Sequence, residues 1–215
     1  MADAKTLKSR LASGEFDARL KEVYLSDKAV EDQKKRDAVI IDEFVRLFGD
    51  NDSIELFSAP GRTEVGGNHT DHNHGKVLAA SVDLDTVAAA AKRDDGIIVE
   101  KSFKFDALEV DISDLEVHTE EFGKSSGLIR GMCAGFKERG YNIGGFNAAS
   151  MSRVLSGSGL SSSAAYEVLI GTILNHLYND GKVSPVEVAK IAQYAENKYF
   201  LSLIHISEPT RLALI

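Results

Sequence analysis

Between Ala4 and Phe48 the apolar residues Val30, Val39, Ile40, Phe44, Val45 and Phe48 recur near a 3.6-residue period among Lys, Arg, Asp and Glu, which predicts an amphipathic helical lead-in. Gly49, Asp50, Asn51 and Asp52 end that pattern, and Ile54 to Ala59 reads as a short strand running into a turn at Pro60 and Gly61. Lys76 to Ala91 is rich in Val, Leu and Ala, while Ile97 to Phe105 and Leu108 to Ile112 alternate apolar with polar residues, predicting a meander of antiparallel strands. A helix is expected over Leu128 to Arg139, stopped by Gly140, and a strand over Gly145 to Val154, where small apolar and polar residues alternate. Tyr166 to Tyr178 and Pro185 to Tyr199 complete the pattern as helices, the second with Ser184 as N-cap, Pro185 at its first position and Glu187 at its third. The element order is α+β and not a regular βαβ alternation.

With 215 residues and 43% hydrophobic content the chain can bury a real core, as one large domain or two small ones. Its 25 basic and 33 acidic residues give a net charge of −8, which argues against the broad positive surface that nucleic-acid binding needs, so no nucleic-acid partner is expected. The single cysteine, Cys133, cannot form an internal disulfide, nothing nearby would activate its thiol, and the first residues lack the apolar run of a secretory signal. These features point to a cytoplasmic chain. The most apolar stretch, Val82 to Ala91, is interrupted by Asp83 and Asp85 and falls short of the roughly 20 residues that cross a bilayer, so no membrane role is expected. The last fifteen residues, LSLIHISEPTRLALI, break the preceding helical pattern and resemble a peptide produced when sequencing-adaptor DNA is translated. The expected organisation is a helical lead-in over 1–52, a domain over 53–200 and a non-native tail over 201–215, the alternative for the last being a native tail.

Two segments concentrate chemistry. VLSGSGLSSSAAYEV, Val154 to Val168, places Gly157 and Gly159 between a strand and a helix whose first turn carries Ser161, Ser162 and Ser163. Glycines let the backbone approach an anion, the helix N-terminus offers free N–H groups and a positive dipole end, and hydroxyls there can hold phosphate oxygens or Mg²⁺. No lysine follows in the place a Walker loop requires, and a flexible Gly-Ser turn whose serines only cap a helix is the plain alternative. The second segment, APGRTEVGGNHTDHNHG from Ala59 to Gly75, gathers Arg62, Glu64, Asn68, His69, Asp71, His72 and His74. A carboxylate such as Asp71 can bond two vicinal hydroxyls, which suits a small polar ligand, and Arg62 can steady charge on a phosphoryl group. A metal site built on His69, Asp71, His72 and His74, or a solvated polar loop, are the competing readings.

GSGLSSSAA resembles the nucleotide-phosphate loop of the GHMP kinases, and Gly61-Arg62 followed at fixed distance by Gly67, Asn68, His69 and Asp71 resembles the galactokinase signature within that superfamily. The resemblance covers about Ser53 to Phe200. It implies the α+β N-terminal domain of a GHMP kinase, a ribosomal-protein-like mixed sheet with helices, with the C-terminal ferredoxin-like domain missing. It implies ATP and Mg²⁺ as cofactors, galactose as substrate, and a monomer that makes galactose 1-phosphate. On this resemblance Arg62 is catalytic, and Glu64, Asn68, His69 and Asp71 contact the sugar. Gly157, Ser158, Gly159, Leu160, Ser161, Ser162 and Ser163 wrap the phosphates, and Ser162 with Glu196 holds the metal. Asn68 stands where a glutamate is usual, His72 where a tyrosine is common, Glu64 where an asparagine is common, and the proline usual upstream of the phosphate loop is absent. A kinase for another sugar, N-acetylgalactosamine or arabinose, or a non-catalytic galactose and ATP sensor, remain alternatives. The family's catalytic aspartate would follow Phe200, so the chain by itself is expected to give no turnover.

Overall fold

The helical lead-in is divided. Residues 2–51, 53–66, 76, 78–155 and 159–201 are described by a computed structural model, in which the lead-in consists of α1 (Ala4–Ala12), α2 (Asp17–Tyr24) and α3 (Asp27–Phe48). Local chemistry sets the breaks: the Asp3 carboxylate accepts the Thr6 N–H at 2.6 Å to start α1, Leu25 adopts a left-handed φ of 61° to end α2, and the Ser26 hydroxyl accepts the Ala29 N–H to start α3. On α3 the predicted stripe is nearly right, because Val30, Ile40, Ile41 and Phe44 are buried, but Val39 is 47% exposed. Its place in the buried stripe is taken by Gln33, Arg36 and Asp37, polar residues that the apolar period did not include.

Strand β1 (Glu55–Gly66) does not turn at Pro60 and Gly61 but runs on through Arg62 and Glu64, paired antiparallel with β2 (Leu78–Lys92). A proline is tolerated there because β1 is the edge of the five-stranded sheet, ordered β1-β2-β5-β3-β4. The register shifts between Pro60↔Asp85 and Arg62↔Ser81, so Gly61 alone stands opposite Val82, Asp83 and Leu84. Beyond that bulge the burial of β2 changes: Asp85 to Ala91 are buried, whereas Leu78 to Leu84 are largely exposed.

β3 (Ile97–Ser102) and β4 (Leu108–Asp111) form an antiparallel pair. The expected meander fails at one point, since β5 (Phe146–Ser152) lies between β2 and β3 in the sheet. Phe146, Ala148, Ala149 and Ser150 are all buried, the near-continuous burial of an interior strand. The remaining helices are α4 (Ser125–Glu138), α5 (Ser162–Asn179) and α6 (Pro185–Ala195). α6 starts as expected, with the Ser184 hydroxyl accepting the Glu187 N–H at 3.2 Å and Pro185 in the first turn, and passes into a π-turn at Glu196–Phe200.

The chain divides into two compact units, the first made of 1–91, 102–104 and 148–169 and the second of 92–101, 105–147 and 170–215. In the first, Leu7 and Leu11 of α1 and Ile40, Ile41 and Phe44 of α3 pack on Ile54, Ala89, Ala91 and Ala149. In the second, α4 lies close against α6, with Gly131 facing Ala195 and Gly135 facing Ile191. Among the described residues no helix is long and apolar enough to cross a membrane.

Candidate active site

Arg62 sits on β1 just past the bulge, with its side chain exposed, and Glu64 follows two residues on, half-buried. Their backbone is tied to the glycine–serine segment: the Arg62 N–H donates to the Leu160 carbonyl at 3.1 Å. Gly61 makes the approach possible, because a Cβ there would lie 3.1 Å from both the Leu160 oxygen and Val154 Cγ2. The two segments that the sequence singles out are therefore in backbone contact within the first unit.

After Leu160 the chain turns sharply into α5. Gly159 has φ +75° and Ser161 φ +56°, left-handed values that a serine seldom takes. The Ser161 carbonyl accepts the Ala165 N–H at 3.0 Å, so Ser161 is the residue from which the helix starts, and Ser162 and Ser163 occupy its first turn. That first turn has backbone N–H groups with no acceptor inside the helix, aligned with the positive end of the dipole. Phosphate is the ligand such a terminus suits. Glu196 belongs to the second unit, where it opens the π-turn after α6 and is half-buried. Gly157, Ser158, Asn68, His69 and Asp71 lie outside the described residues, as do His72 and His74 of the competing metal reading. Among the described residues no group of three or more His, Cys, Asp or Glu side chains is placed to hold a metal ion.

Behind β1 lies a buried polar cluster that the motifs did not reveal. Asp85, 3% exposed, forms an ion pair with Arg36 of α3, and its other carboxylate oxygen accepts the Tyr24 hydroxyl at 2.5 Å and the Ser58 hydroxyl at 2.6 Å. Arg36 Nη2 donates to the main-chain oxygens of Asp85 at 3.0 Å and Met151 at 2.7 Å, and the Arg153 N–H donates to the same Asp85 oxygen at 2.9 Å. Burial, and then the bond to Asp85, raise the Tyr24 hydroxyl above the ordinary phenol range, so it stays a donor. Next to the pair, Asp37 accepts Gln33 Nε2 at 2.7 Å, and burial pushes its carboxyl up to about 7. The visible signal was Gln33, Arg36 and Asp37 falling on the inward stripe of an amphipathic helix.

Comparison with known sequences joins the two loops to one family. The galactokinase galactose-binding signature matches residues 42–92, and the N-terminal domain of the GHMP kinases matches residues 127–205. The chain has the N-terminal fold of the GHMP kinases. The chain is similar to the galactokinase of Clostridium beijerinckii, with 36% identity over 163 residues, covering 75% of this chain and 41% of that protein. In three dimensions it is similar to the crystal structure of Lactococcus lactis galactokinase complexed with galactose, with a TM-score of 0.68 and 33% identity over 75% of this chain and 42% of that one. Methanococcus jannaschii mevalonate kinase shares the fold, with a TM-score of 0.56 at 16% identity, covering 67% of this chain and 46% of that one. The chain spans about two fifths of the length of the curated relatives it matches.

Proposed function

We propose that this chain forms part of a cytoplasmic galactokinase, which transfers the γ-phosphate of ATP to the anomeric hydroxyl of galactose and yields galactose 1-phosphate and ADP. The observation that carries this reading is the bond from the Arg62 N–H to the Leu160 carbonyl, since it ties a strand bearing the sugar signature to a helix start suited to phosphate. Transfer of a phosphoryl group is catalysed mainly by positioning and charge stabilisation, so the contact of these two segments is the requirement that matters.

In this reading the first turn of α5 and the hydroxyls of Ser161, Ser162 and Ser163 hold the terminal phosphates, together with Gly157, Ser158, Gly159 and Leu160. The Arg62 guanidinium neutralises charge growing on the transferred group. Asp71 and His69 bond the sugar hydroxyls, with Glu64 and Asn68 completing the contacts. Ser162 and Glu196 would offer Mg²⁺ a hydroxyl and a carboxylate, the hard oxygen donors it prefers, and the ion would supply charge neutralisation for the phosphates.

Thermal denaturation of the chain with each ligand tests the reading. Galactose and Mg·ATP are each expected to raise the melting temperature, by the equivalent of about 2.7 kcal/mol at a hundredfold excess over Kd. Asp71→Ala should abolish the galactose shift and leave the nucleotide shift, and Ser162→Ala should do the reverse. No shift with either ligand would sink the proposal. The Asn68 departure favours a second reading, a related sugar as acceptor, because a neutral amide replaces a charged hydroxyl partner. A larger shift with N-acetylgalactosamine or arabinose than with galactose would select it.

A further inference from the structure

A buried ion pair gives little stability over a well-packed apolar pair, because both charges must leave water. Arg36 and Asp85, with side chains 3% and 4% exposed, are such a pair, Arg36 on the buried stripe of α3 and Asp85 on the buried part of β2. Arg36 Nε also has no partner among the described residues. The arrangement is explained by what it joins. Ser58 lies on β1 four residues before Arg62, and Asp85 is the register partner of Pro60 at the edge of the bulge. Met151 and Arg153 lead directly into the segment that ends at Leu160. Tyr24 and Arg36 themselves precede the galactose-binding signature, which begins at residue 42 within α3.

We propose that Arg36 and Asp85 are positioning residues for phosphoryl transfer, clamping the root of the strand that carries Arg62 to the root of the segment that carries the phosphate loop. At the tips the same two segments meet through the Arg62–Leu160 bond and the Gly61–Val154 contact. Contact at the tip alone leaves each segment free to slide or splay; a second attachment at the root removes that freedom. The guanidinium suits the task because its planar fork donates to a carboxylate and two carbonyls at once, which a lysine ammonium on a flexible stem does not reproduce. The pair touches neither proposed ligand and acts through Arg62 and the loop.

The purpose of the clamp rests on the phosphoryl-transfer reading, but its deciding measurement, amide exchange, is made without ligand, so failure of one is distinguishable from failure of the other. Amide hydrogen exchange of the 215-residue chain would be compared with that of Arg36→Met/Asp85→Leu, which removes both charges together. Exchange at the Arg62 amide is expected to quicken by about tenfold or more, while amides at Phe57 and Ala88 to Ala90 keep their protection. In the folded double variant the Kd for Mg·ATP should rise while the melting temperature changes little. If the double variant does not fold, Ser58→Ala, which severs only the β1 attachment, should still quicken Arg62 exchange by a smaller factor. Unchanged Arg62 exchange in whichever variant folds, or an equal rise along all of β1 and β2, would overturn the proposal, the latter by showing a structural role only. Failure of the unaltered chain to bind Mg·ATP would count against the kinase reading and leave the exchange result standing.

Discussion

At Gly61 the difference between a hydrogen and a methyl group decides whether β1 can reach the glycine–serine segment. A Cβ would sit 3.1 Å from the Leu160 oxygen and 3.1 and 3.2 Å from the two methyls of Val154, tighter than ordinary packing on both sides. Gly61→Ala is therefore expected to lengthen or break the Arg62–Leu160 bond and to cost about 1–3 kcal/mol, the usual range for an overpacked site. Urea denaturation measures the cost, and the Kd for Mg·ATP should weaken along with it. Asp37 offers a different single-residue test. Its carboxyl is raised to about 7 by burial, opposed by Gln33, Arg36 and Arg153 and reinforced by Asp85, while an unfolded aspartate titrates near 3.8. Because the folded value is the higher, the stability this group contributes is full at acid pH and is lost as pH rises through about 7. Asp37→Asn should thus raise the melting temperature more at pH 8 than at pH 5 and flatten the profile. An identical gain at both pH values would show that the carboxyl is ionised throughout. The sequence announced Arg62 and the serines by motif, but Asp37 and Asp85 were legible only as charges falling among buried neighbours.

Between elements, what could be read in advance depended on how local its cause was. α6 begins where Ser184, Pro185 and Glu187 place it, because a cap is satisfied within one turn. The run of β1 past Pro60 and the insertion of β5 between β2 and β3 depend on which strand is an edge and which is interior, and no local signal carries that. The contact of Arg62 with Leu160 is likewise a consequence of strand order, so the motifs named candidate residues without showing that their segments meet. The α4–α6 packing is a third case, set by small residues on one helix face. At Gly131 an added Cβ would lie 2.8 Å from Ala195 Cβ and 2.9 Å from Tyr199 Cγ. Alanine favours a helix interior over glycine by about 1 kcal/mol, yet here the clash involves the backbone of the facing helix. Overpacking wins, and Gly131→Ala should destabilise the chain by about 1–3 kcal/mol in urea denaturation. A stabilised variant would mean that α6 moves away without penalty, and with it the π-turn that carries Glu196.

For the molecule as a whole, the open question is whether its two units unfold together. β5 and α5 each contribute residues to both, so the chain cannot melt one unit without releasing an end of a strand and of a helix in the other. Cys133 reports on the second unit: it is fully buried on α4, and burial pushes its thiol up to about 12. Neither exposure nor ionisation favours reaction in the folded state, so Ellman's reagent should label it only when the second unit opens. The Ala59 to Gly75 segment, for which galactose binding is proposed, belongs to the first unit. If the units open as one, a sugar held by the first must be released before Cys133 is exposed, and labelling slows by the factor 1 + [L]/Kd, about a hundredfold at a hundredfold excess. If they open separately, galactose leaves the labelling rate unchanged while still raising the melting temperature of the first unit. The shared strand and helix favour the first outcome, since a boundary drawn through the middle of α5 severs hydrogen bonds that either unit needs to stay folded.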